Sequence, residues 1–319
     1  VPDARYLVTG GAGFIGSHIC EFLLGRGSRV RVLDNFSTGK KANVEPLRLK
    51  YPGLLDVIDG DILDKSALIE GMRGVEAVFH EAAVVSVQRS VEDPLETDRV
   101  NLQGTLGLLE ASRQAGVRKV VLASSTAIYG DSEELPKRED MKPHPLSPYA
   151  VTKYGSELYA SVYTRVYGLP VVCLRYFNVF GPRQDPSSDY AAVIPKFITR
   201  ILSGQPPVIF GDGEQSRDFV YVEDVVRANV LATESDAAGM SLNIATGTRY
   251  SLNQLATSLN RLMGAALDPI HEQPRIGEVR HSGADISRAR STIKFAPQVS
   301  FEEGLKRTID WYRLQQAAG

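Results

Sequence analysis

The run Thr9-Gly10-Gly11-Ala12-Gly13-Phe14-Ile15-Gly16 constrains this 319-residue chain more tightly than any other segment. It follows a short apolar stretch at 6–8 and opens an amphipathic stretch at 14–24, so it reads as a strand, a turn and a helix. Gly10 permits the tight turn, Gly13 lets the backbone approach a pyrophosphate, and Gly16 lets helix and strand pack closely. The pyrophosphate would rest on the positive end of the helix. The next apolar run ends in Asp34, 18 positions past Gly16. A carboxylate there can accept both adenosine ribose hydroxyls and would repel a 2′-phosphate, so NAD is expected over NADP. Asp61, after 57–60, is the next neighbour expected for the adenine ring.

Apolar runs at 6–8, 30–33, 55–58, 77–79, 120–123 and 171–175 alternate with helical patterns, among them 14–24, 95–114 and 149–167. Strands this apolar, separated by helices, imply a parallel sheet buried on both faces with right-handed crossovers. That is a doubly wound α/β fold, in which ligands bind beyond the carboxyl ends of the strands. After Gly181 the texture changes to turns such as Gly181-Pro182-Arg183-Gln184-Asp185-Pro186, with helical patterns returning at 222–233 and 251–263. The expected division is a nucleotide domain of 1–178 plus 215–238 and a smaller lobe of 179–214 and 239–319.

Hydrophobic residues at 43% and charged residues at 23% are ordinary for a globular protein, and a net charge of −2 gives no reason to expect nucleic acid or a membrane as partner. Cys20 and Cys173 sit in apolar stretches, and the five histidines have no metal-ligand spacing, so neither a disulfide framework nor a metal site is expected. No apolar run approaches the ~20 residues that span a bilayer. The chain starts almost directly with a strand, so the expectation is no signal peptide and a cytoplasmic location.

Tyr149-Ala-Val-Thr-Lys153 puts a phenol and an ammonium one helical turn apart. A free phenol titrates near pH ~10, and a nearby cation together with a positive nicotinamide should lower that value. Tyr149 could then accept a proton from a sugar hydroxyl while hydride leaves the same carbon. Four other tyrosines, at 154, 159, 163 and 167, share the helix, and their spacing suits packing or a subunit contact. Pro148 distinguishes Tyr149 by placing it in the first turn, beside the strand ends. The hydroxyls of Ser124, Ser125 and Thr126 leave a strand at the same level and can orient the reacting group.

Gly10-x-x-Gly13-x-x-Gly16, Ser124-Ser125, Tyr149-x-x-x-Lys153 and Leu174-Arg175-Tyr176-Phe177-Asn178 occur in this order, and over essentially the whole chain they resemble the extended short-chain dehydrogenase/reductase family. Within that family the sequence is similar to UDP-hexose 4-epimerases, and closest to the UDP-N-acetylglucosamine type. The resemblance implies a Rossmann-type doubly wound parallel sheet with a smaller C-terminal substrate-binding lobe, usually as a homodimer through the helices at 95–114 and 149–167. It implies a permanently held NAD that oxidises the sugar at C4 and returns hydride to the other face. It places Ser125, Thr126, Tyr149 and Lys153 in catalysis. Around NAD it places Gly10, Gly13, Phe14 and Ile15; then Asp34, Asn35, Ser37, Thr38 and Gly39; then Asp61 and Ile62. Ala82, Ala83, Asn101, Ser124 and Tyr176, with Tyr149 and Lys153, complete the cofactor set.

For the UDP-sugar, the resemblance implies diphosphate binding by Arg217 and Arg275, whose guanidiniums can each donate two bonds to phosphate oxygens. Glu278 is expected on the uridine ribose, and Ser86, Asn178, Ala192, Val193, Lys196, Val208 and Phe210 around the nucleotide and sugar. Ser282 stands where glucose-only epimerases carry a bulky Tyr, which leaves room for a 2-acetamido group. UDP-GlcNAc/UDP-GalNAc are thus the expected substrates, with UDP-glucose/UDP-galactose as further candidates. Thr126-Ala127 replaces the Asp-Glu pair of the 4,6-dehydratases, and the decarboxylases carry Glu at the place of Ala127. The rivals are a UDP-glucuronate 4-epimerase, disfavoured by Asn178 and Asp185 where those enzymes show Thr and Arg, and a non-catalytic NAD-binding sensor, which would usually have lost the Tyr/Lys pair.

Overall fold

The computed structural model describes residues 5–186, 192–274 and 279–318. The first half alternates as expected: β1 (Arg5–Thr9), α1 (Phe14–Gly25), β2 (Arg29–Asp34), α2 (Lys41–Lys50), β3 (Leu55–Asp59), α3 (Lys65–Gly71) and β4 (Ala77–His80). Next come α4 (Val87–Glu92), α5 (Pro94–Asp98), α6 (Gly104–Gln114), β5 (Lys119–Ser125), α7 (Pro148–Tyr167) and β6 (Val171–Tyr176). The second half contributes β7 (Asn178–Phe180), α8 (Val193–Leu202), β8 (Val208–Phe210), β9 (Ser216–Arg217), β10 (Phe219–Tyr221) and α9 (Val222–Glu234). It ends with β11 (Met240–Ile244), β12 (Tyr250–Ser251), α10 (Leu252–Met263), β13 (Ile270–Glu272), α11 (Ser287–Ile293) and α12 (Phe301–Ala318).

Seven strands form the central sheet in the order β11-β6-β5-β4-β1-β2-β3, and every pairing in it is parallel. Both faces are covered, which is why the strands read as near-continuous apolar runs. Val8, Val32, Val121 and Val172 pack towards α1 and α9, while Leu7, Leu33, Val120 and Val171 pack towards α3, α6 and α7. A third core, built on Phe180, Ile198, Leu255 and Leu305, belongs to the smaller lobe. Among the described residues no helix is long and apolar enough to cross a membrane.

Two expectations change. The helix read at 95–114 is broken: a π-helical turn over Arg99–Gln103 separates α5 from α6. The insertion turns Asn101 inward, where its side chain bonds the backbone of Val84, and π turns of this kind are common at functional sites. The stretch 240–244, expected in the smaller lobe, is the edge strand of the large sheet. It pairs with β6 from Met240↔Val172 to Ile244↔Tyr176. Its Met-Ser-Leu-Asn-Ile sequence alternates, and an alternating run does not announce a doubly buried strand.

Candidate active site

At the carboxyl ends of β1 and β2 the glycine turn forms a cradle with no room for side chains. Gly10 has φ +68, and a Cβ there would lie 2.7 Å from the backbone nitrogen of Ala82; a Cβ on Gly16 would collide with the Gly10 carbonyl. Helix α1 begins at Phe14 without a side-chain cap, so its first turn presents backbone N–H groups and the positive end of the helix to an anion. Asp34 closes β2 with one carboxylate oxygen accepting from Ala12 N at 2.9 Å and the other from Phe36 N at 2.8 Å. Burial raises its carboxyl and these two backbone bonds act the other way. Gly39 lies against the same carboxylate, where a Cβ would come within 2.7 Å of it. Ser37 and Thr38 fill the exposed turn between them. Asn35 donates to Asp61 at 2.8 Å, and Ile62 is buried beside them. These features fit NAD: a pyrophosphate-sized cradle, a helix terminus behind it, and a carboxylate with lone pairs left for a ribose diol.

The other end of this groove lies over β5 and α7. Ser147 caps α7 by accepting from Ala150 N, and Pro148 occupies the first turn, which fixes Tyr149 beside the strand ends. Tyr149 is buried, and Ser125, whose hydroxyl accepts from Ala127 N at 3.1 Å, lies close enough to act on its phenol. Thr126 opens the 3₁₀ turn that follows and is half-buried. Lys153 is buried one turn along α7, and its Nζ donates to the Ala123 carbonyl at 3.0 Å. Its Nζ sits 5.9 Å from the centre of the Tyr149 ring.

The protein's own groups do not lower the phenol, and the expected lowering calls on the positive nicotinamide as well. Burial raises the Tyr149 phenol, the neighbouring Ser125 hydroxyl opposes that, and the negative charge of Glu81 adds to it. Burial also pulls the Lys153 ammonium down to about 8, against the charge of Glu81. Both groups lose hydration together, and the ammonium is turned towards a carbonyl, so burial is the largest influence on each.

Several expected cofactor residues act by shaping the groove. Asn101 donates to Val84 O and Thr152 Oγ1 and accepts from Val84 N at 2.7 Å, so it anchors the loop that carries Ala82 and Ala83. The Ser124 hydroxyl points into the core and donates to Glu157 at 2.6 Å, leaving its backbone as what it can offer a ligand. Glu157 in turn is held by Arg175, with both side chains 5% exposed. The Tyr176 hydroxyl donates to Glu81 at 2.8 Å and accepts from Asn229. Glu81 went unnoticed in the sequence, although an acid two positions after the apolar run at 77–79 is a usable signal. Burial pushes its carboxyl up to about 7, opposed by the Tyr176 bond and the Lys153 charge.

On the substrate side, Ser86 caps α4 by accepting from Arg89 N. Asn178 opens β7 with its backbone bonded to Asp218, and its buried Oδ1 has no hydrogen-bond partner. Ala192 and Val193 begin α8, with Lys196 one turn on. Val208 and Phe210 are the half-buried ends of β8, which pairs with β13. Arg217 lies in β9 and donates to the Ser216 and Arg280 carbonyls. Ser282 is buried, with its backbone nitrogen bonded to Ser216 O at 2.9 Å. The strand pairings and these bonds bring Arg217 and Ser282 to the same place. Arg275 and Glu278 lie outside the described residues. Among the described residues no group of three or more His, Cys, Asp or Glu could hold a metal ion.

Comparison with known proteins agrees with this geometry. The UDP-glucose 4-epimerase of Mycolicibacterium smegmatis is 40% identical over 97% of this chain and 98% of its own length. The crystal structure of UDP-glucose 4-epimerase with UDP-glucose from Thermotoga maritima superposes with a TM-score of 0.92, at 41% identity over 98% of this chain and 99% of that one. The UDP-N-acetylglucosamine 4-epimerase of Methanobrevibacter ruminantium, in complex with UDP-N-acetylmuramic acid, superposes at 0.94, with 41% identity over 99% and 100% of the two chains. Residues 6–245 match a single family model, and the chain belongs to the NAD dependent epimerase/dehydratase family.

Proposed function

We propose that this protein is a UDP-sugar 4-epimerase that inverts C4 of UDP-GlcNAc/UDP-GalNAc and also accepts UDP-glucose/UDP-galactose. The observation that carries the reading is the buried Tyr149 phenol in the first turn of α7, with Lys153 one turn away and bonded to Ala123 of β5, the strand that ends in Ser125. NAD, when bound, would supply reversible hydride transfer at C4. Tyr149 takes the proton of the sugar O4 and later returns it, while Ser125 shares and orients that proton. Lys153, braced on the Ala123 carbonyl, holds the cofactor ribose and supplies positive charge beside the phenol. The unsatisfied Asn178 Oδ1 offers an acceptor to a substrate hydroxyl, since a buried carbonyl without a donor is costly. Arg217, with Arg275, would neutralise the diphosphate.

The sugar assignment rests on Ser282. A small buried residue leaves volume for an acetamido group, and filling such a pocket discriminates only modestly, which suits dual activity. A homodimer is also part of this reading. Val151, Leu158, Val162 and Val166 form an exposed apolar stripe along α7, and Val87, Val91 and Leu95 are exposed on α4 and α5; an apolar surface of this kind marks a contact site. The test is to incubate the purified protein with each UDP-sugar without added cofactor and resolve the C4 epimers by NMR. Interconversion of UDP-GlcNAc and UDP-GalNAc is expected. Conversion of UDP-glucuronate alone would overturn the sugar assignment, and no conversion of any UDP-sugar, with NAD added, would overturn the enzyme.

A further inference from the structure

Between β9 and β10 the chain passes through one residue, Asp218, which is fully buried. One of its carboxylate oxygens accepts from Thr246 N at 2.8 Å and Thr246 Oγ1 at 2.7 Å. The other accepts from Gly247 N at 2.9 Å and, at the longer distance of 3.4 Å, from Ala284 N. Its backbone carbonyl takes a further bond from Asn178 N at 3.1 Å. All of these donors are neutral. A carboxylate is costly to bury unless donors surround it, and this one draws its donors from the turn after β11 and from the stretch that follows Ser282. Burial raises the carboxyl, and the four side-chain bonds act the other way.

We propose that Asp218 is a positioning residue of the UDP-sugar site, the buried anchor that holds Asn178, Arg217 and Ser282 in register with one another. The inference rests on the epimerase reading. Arg217 is the chain neighbour of Asp218 and ends β9, which pairs with β12 through Arg217↔Tyr250. Ser282 is bonded to β9 at Ser216 O, and two positions further on Ala284 N meets the carboxylate. Asn178, bonded to the Asp218 carbonyl, starts the pairing of β7 with β10 at Phe219↔Asn178. The residue expected at the diphosphate and the two expected at the sugar therefore come from three stretches of chain that meet at one side chain and its carbonyl. The ladders around them are short: β9 and β12 have two residues each, β7 and β10 three. Such ladders give little rigidity, so the fixed point between them matters. A carboxylate suits that place because it only accepts and every group facing it donates. An asparagine has the same shape, but whichever way its amide lies, its NH₂ confronts at least one backbone N–H and leaves that donor unpaired.

The experiment uses the NAD-loaded enzyme and compares the wild type with Asp218→Asn and Thr246→Val. Three quantities are read well below Tm: the Kd of UDP by calorimetry, KM and kcat for UDP-GlcNAc, and the NAD retained per chain. For Asp218→Asn the Kd of UDP and the KM should both rise about 10- to 100-fold, as for lost bonds to a charged group. NAD content should match the wild type, and kcat should change much less than KM. A residue that serves only the stability of the lobe would lower Tm and leave the Kd and KM of the folded enzyme as they are; that result would overturn the proposal. So would loss of NAD in step with loss of UDP affinity, which a general loosening predicts. If Asp218→Asn does not fold, Thr246→Val decides. It keeps the carboxylate and removes one donor, so UDP should bind about 3- to 10-fold more weakly with NAD retained, and an unchanged Kd would overturn the role. A wild type that binds no UDP would overturn the UDP-sugar reading and this role with it, whereas wild-type binding with an unaltered Asp218→Asn would overturn this role alone.

Discussion

Replacing Arg175 with methionine tests how the chemistry is anchored to the sheet. Arg175 donates to Glu157 through Nε at 2.9 Å and Nη2 at 2.7 Å, and to the Tyr129 hydroxyl through Nη1 at 2.9 Å. Methionine fills much of the volume but removes all three donors, leaving the Glu157 carboxylate with the Ser124 hydroxyl alone. Breaking a buried pair from one side costs about 3–5 kcal/mol, because the remaining charge is uncompensated. In a chain of this size each kcal/mol moves Tm by about 2 °C, so Arg175→Met should melt roughly 6–10 °C below the wild type. The double variant Arg175→Met/Glu157→Leu removes both charges and should recover most of that loss, to within about 2 kcal/mol of the wild type. The assay is thermal unfolding followed by circular dichroism at saturating NAD, so that ligand linkage is held constant. A single variant that loses under about 1 kcal/mol, or a double variant as unstable as the sum of the singles, would refute the reasoning.

Tyr149→Phe should keep NAD bound, read as nucleotide released on denaturation, while turnover falls about 10²–10⁴-fold; full activity would remove Tyr149 as the base. Ser282→Tyr should impair UDP-GlcNAc and UDP-GalNAc far more than the plain hexoses, and equal losses would remove Ser282 as gatekeeper. Leu158→Glu with Val162→Glu places charge on the exposed stripe of α7 and should give a monomer by light scattering, where the wild type gives a dimer. Lys153 titrates at about 8 in the folded protein against an ordinary 10.5. Between those values the unfolded chain holds a proton that the folded one has lost, so this residue makes stability rise with pH across that window, by up to roughly 3 kcal/mol. In Lys153→Met that rise should be absent from the pH dependence of Tm.

The six strands of the first half were legible because burial on both faces demands uninterrupted Val, Ile and Leu, and the glycine turn was legible because only glycine fits beside Ala82. The seventh strand was hidden: it is an edge strand whose Asn243 is buried yet engaged by Lys137, Tyr129 and Asp285, so a polar residue stands where a core strand would show an apolar one. The break at 99–103 was hidden because it depends on the distant backbone of Val84 and not on a local Gly or Pro. In the candidate site, the burial of Tyr149 and Lys153 one helical turn apart and the place of Asp34 at the end of β2 could be read from spacing and neighbours. Glu81 could not be singled out, since its partner Tyr176 meets it only across the folded sheet. The direction in which Tyr149 is perturbed was hidden for a related reason: spacing along a helix reveals a neighbouring charge but not the loss of water around it.

The late edge strand also bears on how the chain matures on the ribosome. Once residue 176 has emerged, six strands can associate, but β6 then presents unpaired backbone until β11 arrives after the whole of 177–239. At ~5–20 residues per second, that interval lasts several seconds. An open, apolar strand edge is a template for pairing with another nascent chain. The interleaving of sheet and lobe along the sequence thus sets a window of vulnerability during synthesis.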